Sequence, residues 1–155
     1  MKTIKFIALV TILVGLISCG DKNALVFNDK LVSIQKEVFK KIDVVENDTI
    51  QTDITKQYQE LQKFVKGKIQ ELKVIDGPAD GERFKQSMID YMDGINAVYD
   101  ASINMLKEVG NAEKLGMYKD EFTQMQTNAE KLEEKVIKEQ KIFAGKHNIR
   151  LDKDL

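Results

Sequence analysis

Between Phe84 and Val109, core-type residues recur at alternating intervals of four and three: Phe84, Met88, Tyr91, Ile95, Val98, Ser102, Met105 and Val109. Only an α-helix returns residues at such intervals to one face, because 3.6 residues complete each turn. A stripe sustained over three and a half heptads demands a long helix, and other helices must cover it.

The same spacing appears three more times. Phe27, Leu31, Ile34, Val38, Ile42 and Val45 predict a first helix from about Leu25 to Val45. Ile54, Tyr58, Leu61, Val65, Ile69, Leu72 and Ile75 predict a second, starting near Thr52 or Asp53 after the turn formers Glu46-Asn47-Asp48-Thr49. Leu115, Tyr118, Phe122, Met125, Ala129, Leu132 and Val136 predict a fourth, running on to Phe143 and ending at Gly145. Asp76-Gly77-Pro78-Ala79-Asp80-Gly81 is the strongest break, and Gly110-Asn111 with Gly116 marks the last turn.

Helices of this length joined by short connections must fold back on their neighbours, so the expected fold is all-α: an antiparallel up-and-down four-helix bundle. Strict heptads could equally meet a second chain, which makes a homodimer of coiled-coil hairpins the competing arrangement. Flanking Val32, Phe39, Met92, Tyr99 and Leu106 widen the stripes beyond a two-stranded seam and favour a core closed within one chain. A single Pro and nine Gly in 155 residues agree with helices rather than hairpins.

The N-terminus obeys a different grammar. Lys2 and Lys5 precede the uncharged run from Phe6 to Leu16, the pattern of an export signal. From Phe6 to Cys19 a helix would reach about 21 Å, short of the roughly 30 Å hydrocarbon core. The segment then reads Leu16-Ile17-Ser18-Cys19: aliphatic, variable, small, cysteine. This resembles the lipobox of bacterial lipoprotein precursors. The resemblance implies diacylglycerol on the Cys19 sulfur, cleavage before Cys19 and residence on a membrane through the attached chains. Gly20 stands where an Asp would mark inner-membrane retention in lipoproteins of enteric type, so the outer membrane is favoured and its face left open.

The expected division is therefore a signal peptide at 1–18, a lipidated tether at 19–24, the bundle at 25–145 and a polar, loosely docked tail at 146–155. With the tether and the first helix near Val26-Phe27-Asn28-Asp29-Lys30-Leu31, the whole resembles small helical surface or periplasmic lipoproteins of unknown function.

Chemistry is sparse. Without residues 1–18 the chain has 22 basic and 25 acidic side chains, a formal charge of −3, which argues against nucleic acid as a partner. Cys19 is the sole cysteine, leaving no thiol for a disulfide, nucleophile or metal once modified. His147, the sole histidine, falls in the Lys-rich tail, where a solvated side chain is expected and no metal or triad partner is spaced to meet it. Asp76, Asp80 and Gly81 match three places of a calcium loop, but Pro78 and Ser87 stand where further ligands are needed. Glu130, Glu133, Glu134 and Glu139 alternate with Lys131, Lys135 and Lys138 and read as a solvated face. No catalytic residue, metal or cofactor is expected.

One local concentration stands out. Met88, Met92, Tyr99, Tyr118, Phe122 and Met125 gather on helices three and four, where Met and aromatic side chains could make an adaptable surface for an apolar ligand or could simply fill the core. The expected function is a lipid-anchored, non-enzymatic envelope protein that binds a protein or envelope component. The alternative is a small apolar-ligand carrier built on those six residues.

Overall fold

The computed structural model describes residues 21–47 and 53–151. Four helices run in order: α1 (Lys22–Glu46), α2 (Ile54–Lys73), α3 (Glu82–Lys107) and α4 (Ala112–Lys146), with one 3-10 turn, Ala79–Gly81, leading into α3. The fold is an all-α four-helix bundle. Among the described residues no helix is long and apolar enough to cross a membrane. The expected signal segment and Cys19 lie outside the described residues, as do Asp48 and Thr49 of the first turn.

Three helix starts are fixed by side-chain caps. Asp21 Oδ1 accepts the Asn23 N–H at 2.9 Å, Asp53 Oδ1 accepts that of Lys56 at 3.1 Å, and Asn111 Oδ1 accepts that of Lys114 at 3.2 Å. Each satisfies one of the backbone donors that a first turn leaves unpaired. α3 has no such cap. It grows out of the 3-10 turn, where the Gly81 N–H bonds the Pro78 carbonyl at 2.8 Å.

The expected stripes meet in the core. All six positions on α1 are buried, as are Leu61, Val65, Ile69 and Leu72 of α2 and Phe84 through Ser102 of α3's stripe. α3 is the hub. It packs most extensively on α4, then on α2, and also touches α1. Gly94 allows the close approach of α4, since a Cβ there would run into Leu132 beside Ala129.

Connections reverse the chain each time, so the N-terminus of α1, the α2–α3 connection and the C-terminus of α4 share one end. Phe27, Phe84 and Phe143 knot that end together, with ring centroids 5.4–6.5 Å apart. Phe27 presses so close to Gly77 and Gly81 that neither leaves room for a side chain. α3 is about 39 Å long at 1.5 Å per residue over its 26 residues, which sets the other end that far away.

Several sequence expectations need correction. The polar tether does not extend to residue 24: α1 starts at Lys22 and Ala24 is buried, because Asp21 caps the helix. Gly116 lies inside α4, on its exposed side, where a missing side chain loses no packing. Val109 ends its stripe in solvent, since α3 stops at Lys107 and among the described residues no helix covers the turn beyond it. Nor is the tail simply loose, for Ile149 is buried and Leu151 packs against the core.

Candidate functional site

The six Met and aromatic residues do not converge. Met88, Met92 and Tyr99 are buried in the main core, while Phe122 packs with Val98, Ala101 and Ala129 in a second, smaller cluster that Met125 joins. Tyr118 is half-buried on the first turns of α4. Tyr99 is held from two sides: its hydroxyl meets Glu46 Oε1 at 3.2 Å, and the Tyr58 ring lies edge-on at 5.0 Å. These contacts are those of packed interior residues.

Open grooves mark the surface of the described residues, two of them on α1 and α4. One, of about 560 Å³, lies at the α1 N-terminal end over Phe27, with Asp21, Lys30 and Asp76 on its walls. The other, of about 660 Å³, runs along α4 from Asp120 to Lys131, and of the six residues only Met125 lines it. Its other lining residues, Asp120, Thr123, Gln124, Thr127, Asn128 and Lys131, are polar in type.

The carboxylates divide differently from the solvated face expected of them. Glu139 is buried and paired with Arg83, whose Nη2 donates to Oε1 at 2.8 Å. Half-buried Glu133 accepts from the Tyr91 hydroxyl, and desolvation pushes its carboxyl above the usual range; Glu46 is raised by the same cause. Burial likewise drives the Tyr91 and Tyr99 phenols far above their ordinary value. In both pairs a neutral phenol donates to a carboxyl, so each of these four groups has a partner where it enters the core. Two glutamines make further contacts between helices unannounced by the stripes: Gln140 donates to Asn28 at 3.2 Å, and Gln62 donates to Asp100 at 2.6 Å and the Asn96 carbonyl at 3.1 Å.

His147 is not solvated. Its side chain is only 16% exposed, stacked 4.6 Å from the Phe143 ring, with Nε2 3.2 Å from each Asp80 oxygen. Asp80, a calcium-loop match by sequence, is thus engaged by His147 and, at 3.7 Å, by Lys146. Among the described residues no group of three or more His, Cys, Asp or Glu could hold a metal ion.

The end opposite the phenylalanine knot differs in character. α1 reaches the level of Tyr99 through Glu46, whereas α3 and α4 continue to the turn at 108–111. There Val109 is 66% and Met117 70% exposed, and Met105, Leu106, Leu115 and Tyr118 on the same ends of α3 and α4 are half-buried. Exposed apolar side chains at one end of a helical hairpin are a feature of contact surfaces. Spacing places Met105, Val109, Leu115 and Tyr118 on core stripes; it carries no signal for where the covering helices end. Compared with known proteins, the chain matches no family model, no curated protein and no solved structure.

Proposed function

We propose that the chain is a lipid-anchored, non-enzymatic protein of the cell envelope, with the outer membrane its favoured location, and that it binds a protein or other envelope component through the free end of the α3–α4 hairpin. The polarity of the bundle carries this reading. Cys19, in its lipobox-like setting, precedes the α1 cap Asp21 by two positions, while Val109 and Met117 lie exposed at the opposite end. An anchor at one pole and an apolar surface at the other suit a domain that presents a binding tip away from a membrane.

A carrier of small apolar ligands is the weaker reading. Such sites are concave and predominantly apolar. Here Met88, Met92 and Tyr99 are committed to the main core, and of the six residues only Met125 reaches the open groove along α4.

The test is the intact mass and membrane fractionation of the native protein, wild type against Cys19→Ala. Loss of residues 1–18, a gain of acyl mass and release of the variant from membranes are expected. Unmodified protein with a free Cys19 thiol in the soluble fraction overturns the anchor. For the tip, a photo-crosslinker at Met117 is expected to trap a discrete partner in cells. A crosslink only to a second copy would assign that surface to a homodimer.

A further inference from the structure

Gly20 alone separates Cys19 from Asp21, the cap of α1, and two residues of fully extended backbone span at most about 7 Å. A bilayer holds roughly 30 Å of hydrocarbon within about 40–45 Å overall, so each headgroup layer is about 5–8 Å deep. A cysteine whose sulfur carries diacylglycerol sits at the base of that layer. Whatever conformation Gly20 takes, α1 then begins at or within the headgroups, and the knotted end has no slack with which to stand clear of them.

The side chains at this end suit that position. Lys22, Val26 and Lys30 recur at intervals of four, so they share one face of α1, and Val26 is 52% exposed. Val26 and Lys30 line the open groove of about 560 Å³ over Phe27, together with Asp76, Gly77 and Pro78 of the α2–α3 connection. At the start of that connection Val74, the C-cap of α2, is 78% exposed beside Lys73. Valines flanked by lysines make an interfacial surface: the apolar side chains enter the boundary between headgroups and acyl chains while the ammonium groups stay at phosphate level. Of the acids at this end, Asp21 and Asp80 face His147, with Lys146 sharing Asp80, while Asp29 and Asp76 stand exposed beside Lys30 and Lys73 in the chain. Lysines and carboxylates side by side match a zwitterionic headgroup, which carries a phosphate and an ammonium together.

We propose that the groove face of the knotted end, with Val26 and Val74 as its inserted side chains, is a docking surface for a bilayer of zwitterionic phospholipid, so that the bundle is held by contact as well as by its anchor. The inference rests on lipidation of Cys19. The anchor supplies the affinity that two valines lack: on so short a tether docking is intramolecular, and a surface too weak to bind a bilayer from solution is still occupied. Docking there directs the α3–α4 turn, at the other end of the bundle, away from the membrane.

The test uses the full-length protein purified with its native lipid, its acyl mass verified first, in vesicles of phosphatidylethanolamine and phosphatidylcholine that carry a headgroup nitroxide. Because lipid occupies the Cys19 sulfur, Val26→Cys, Val74→Cys, Val44→Cys and Met117→Cys each supply the sole free thiol for a bimane label. Labels at 26 and 74 are expected to be quenched severalfold more than those at 44 and 117, which are equally open to solvent but far from the groove. Ten Gly-Ser residues inserted after Gly20 separate docking from mere proximity, since they add a mean reach of roughly 15–20 Å and still leave a millimolar effective concentration. The contrast is expected to persist with the insertion. No contrast between the two pairs, or a contrast lost on insertion, overturns the docking surface. Labels at 26 and 74 shielded from a soluble quencher as well as from the nitroxide would assign the face to a protein partner and overturn it equally. A protein without acyl mass overturns the anchor and the docking with it, so the mass alone tells the two failures apart.

Discussion

At the scale of single residues, the knotted end shows how little tolerance close packing leaves. Gly77 and Gly81 lie flat against the Phe27 ring, which is itself buried and cannot retreat. Gly77→Ala and Gly81→Ala are each expected to cost about 1–3 kcal/mol, read as a lower urea midpoint. Gly67, on the exposed side of α2, has nothing near its missing side chain. Gly67→Ala should therefore gain about 0.5–1 kcal/mol by helix propensity alone. The half-buried carboxyls give a second residue-scale expectation. Glu46 and Glu133 have folded values raised above the ordinary carboxylate, so each contributes stability while protonated, and that contribution is lost as pH rises through the raised value. Urea titrations stepped upward from pH 4.5 should show this decline in the wild type and a flatter profile in the Glu46→Gln, Glu133→Gln double variant.

At the scale of elements, helix existence was legible and helix partnership was not. Phe27 to Val45, Leu61 to Leu72 and Phe84 to Ser102 announce their buried faces through spacing alone, because 3.6-residue geometry acts within each helix. Val109 continues the same spacing but emerges into solvent, and Met105 before it is only half-buried, since no periodicity within α3 reports how far α1 reaches. Glu139 shares its local setting with exposed Glu134 and Lys138, and only the arrival of Arg83 from α3 makes it an interior residue. The same holds for His147, whose partners come from positions 21 and 80. Contacts between elements fall outside what one-dimensional pattern can encode. The α3–α4 pairing offers a direct check. Arg83→Ala leaves the Glu139 carboxylate buried without its cation and is expected to cost about 1–3 kcal/mol, most of it recovered in the Arg83→Ala, Glu139→Gln double variant. Denaturation of the full mutant cycle measures that recovery.

At the scale of the whole molecule, the two ends of the bundle are built to different standards. One is sealed by three phenylalanines and the His147 contacts, and the other carries exposed apolar residues on a two-helix projection. Replacing Val109 and Met117 together by Ser should leave the melting temperature nearly unchanged, a difference of under about 0.5 kcal/mol, because neither side chain is part of the core. The same change should reduce binding of the apolar fluorophore ANS to the native protein. A large loss of stability would instead place the pair inside the folded core. The Met and aromatic concentration shows why the site was harder to read than the fold: composition placed Met88 and Met125 together, whereas packing sent one to the main core and the other to the wall of a groove.

The phenylalanine knot also governs the order in which the molecule can be completed. Asn28, next to Phe27, bonds Gln140 across 112 positions of chain, and Phe143 closes the knot only three residues further on. α2 and α3 can pair as soon as both have emerged from the ribosome or a translocation channel, since little chain separates them. Gly77, Gly81 and Phe84 cover part of the Phe27 ring before the last helix is made, but a chain truncated before Phe143 would leave the side that Phe143 covers open. The leading end of α1 is thus completed by the last part of the chain to be made, and until then one side of Phe27 stays open to other apolar surfaces.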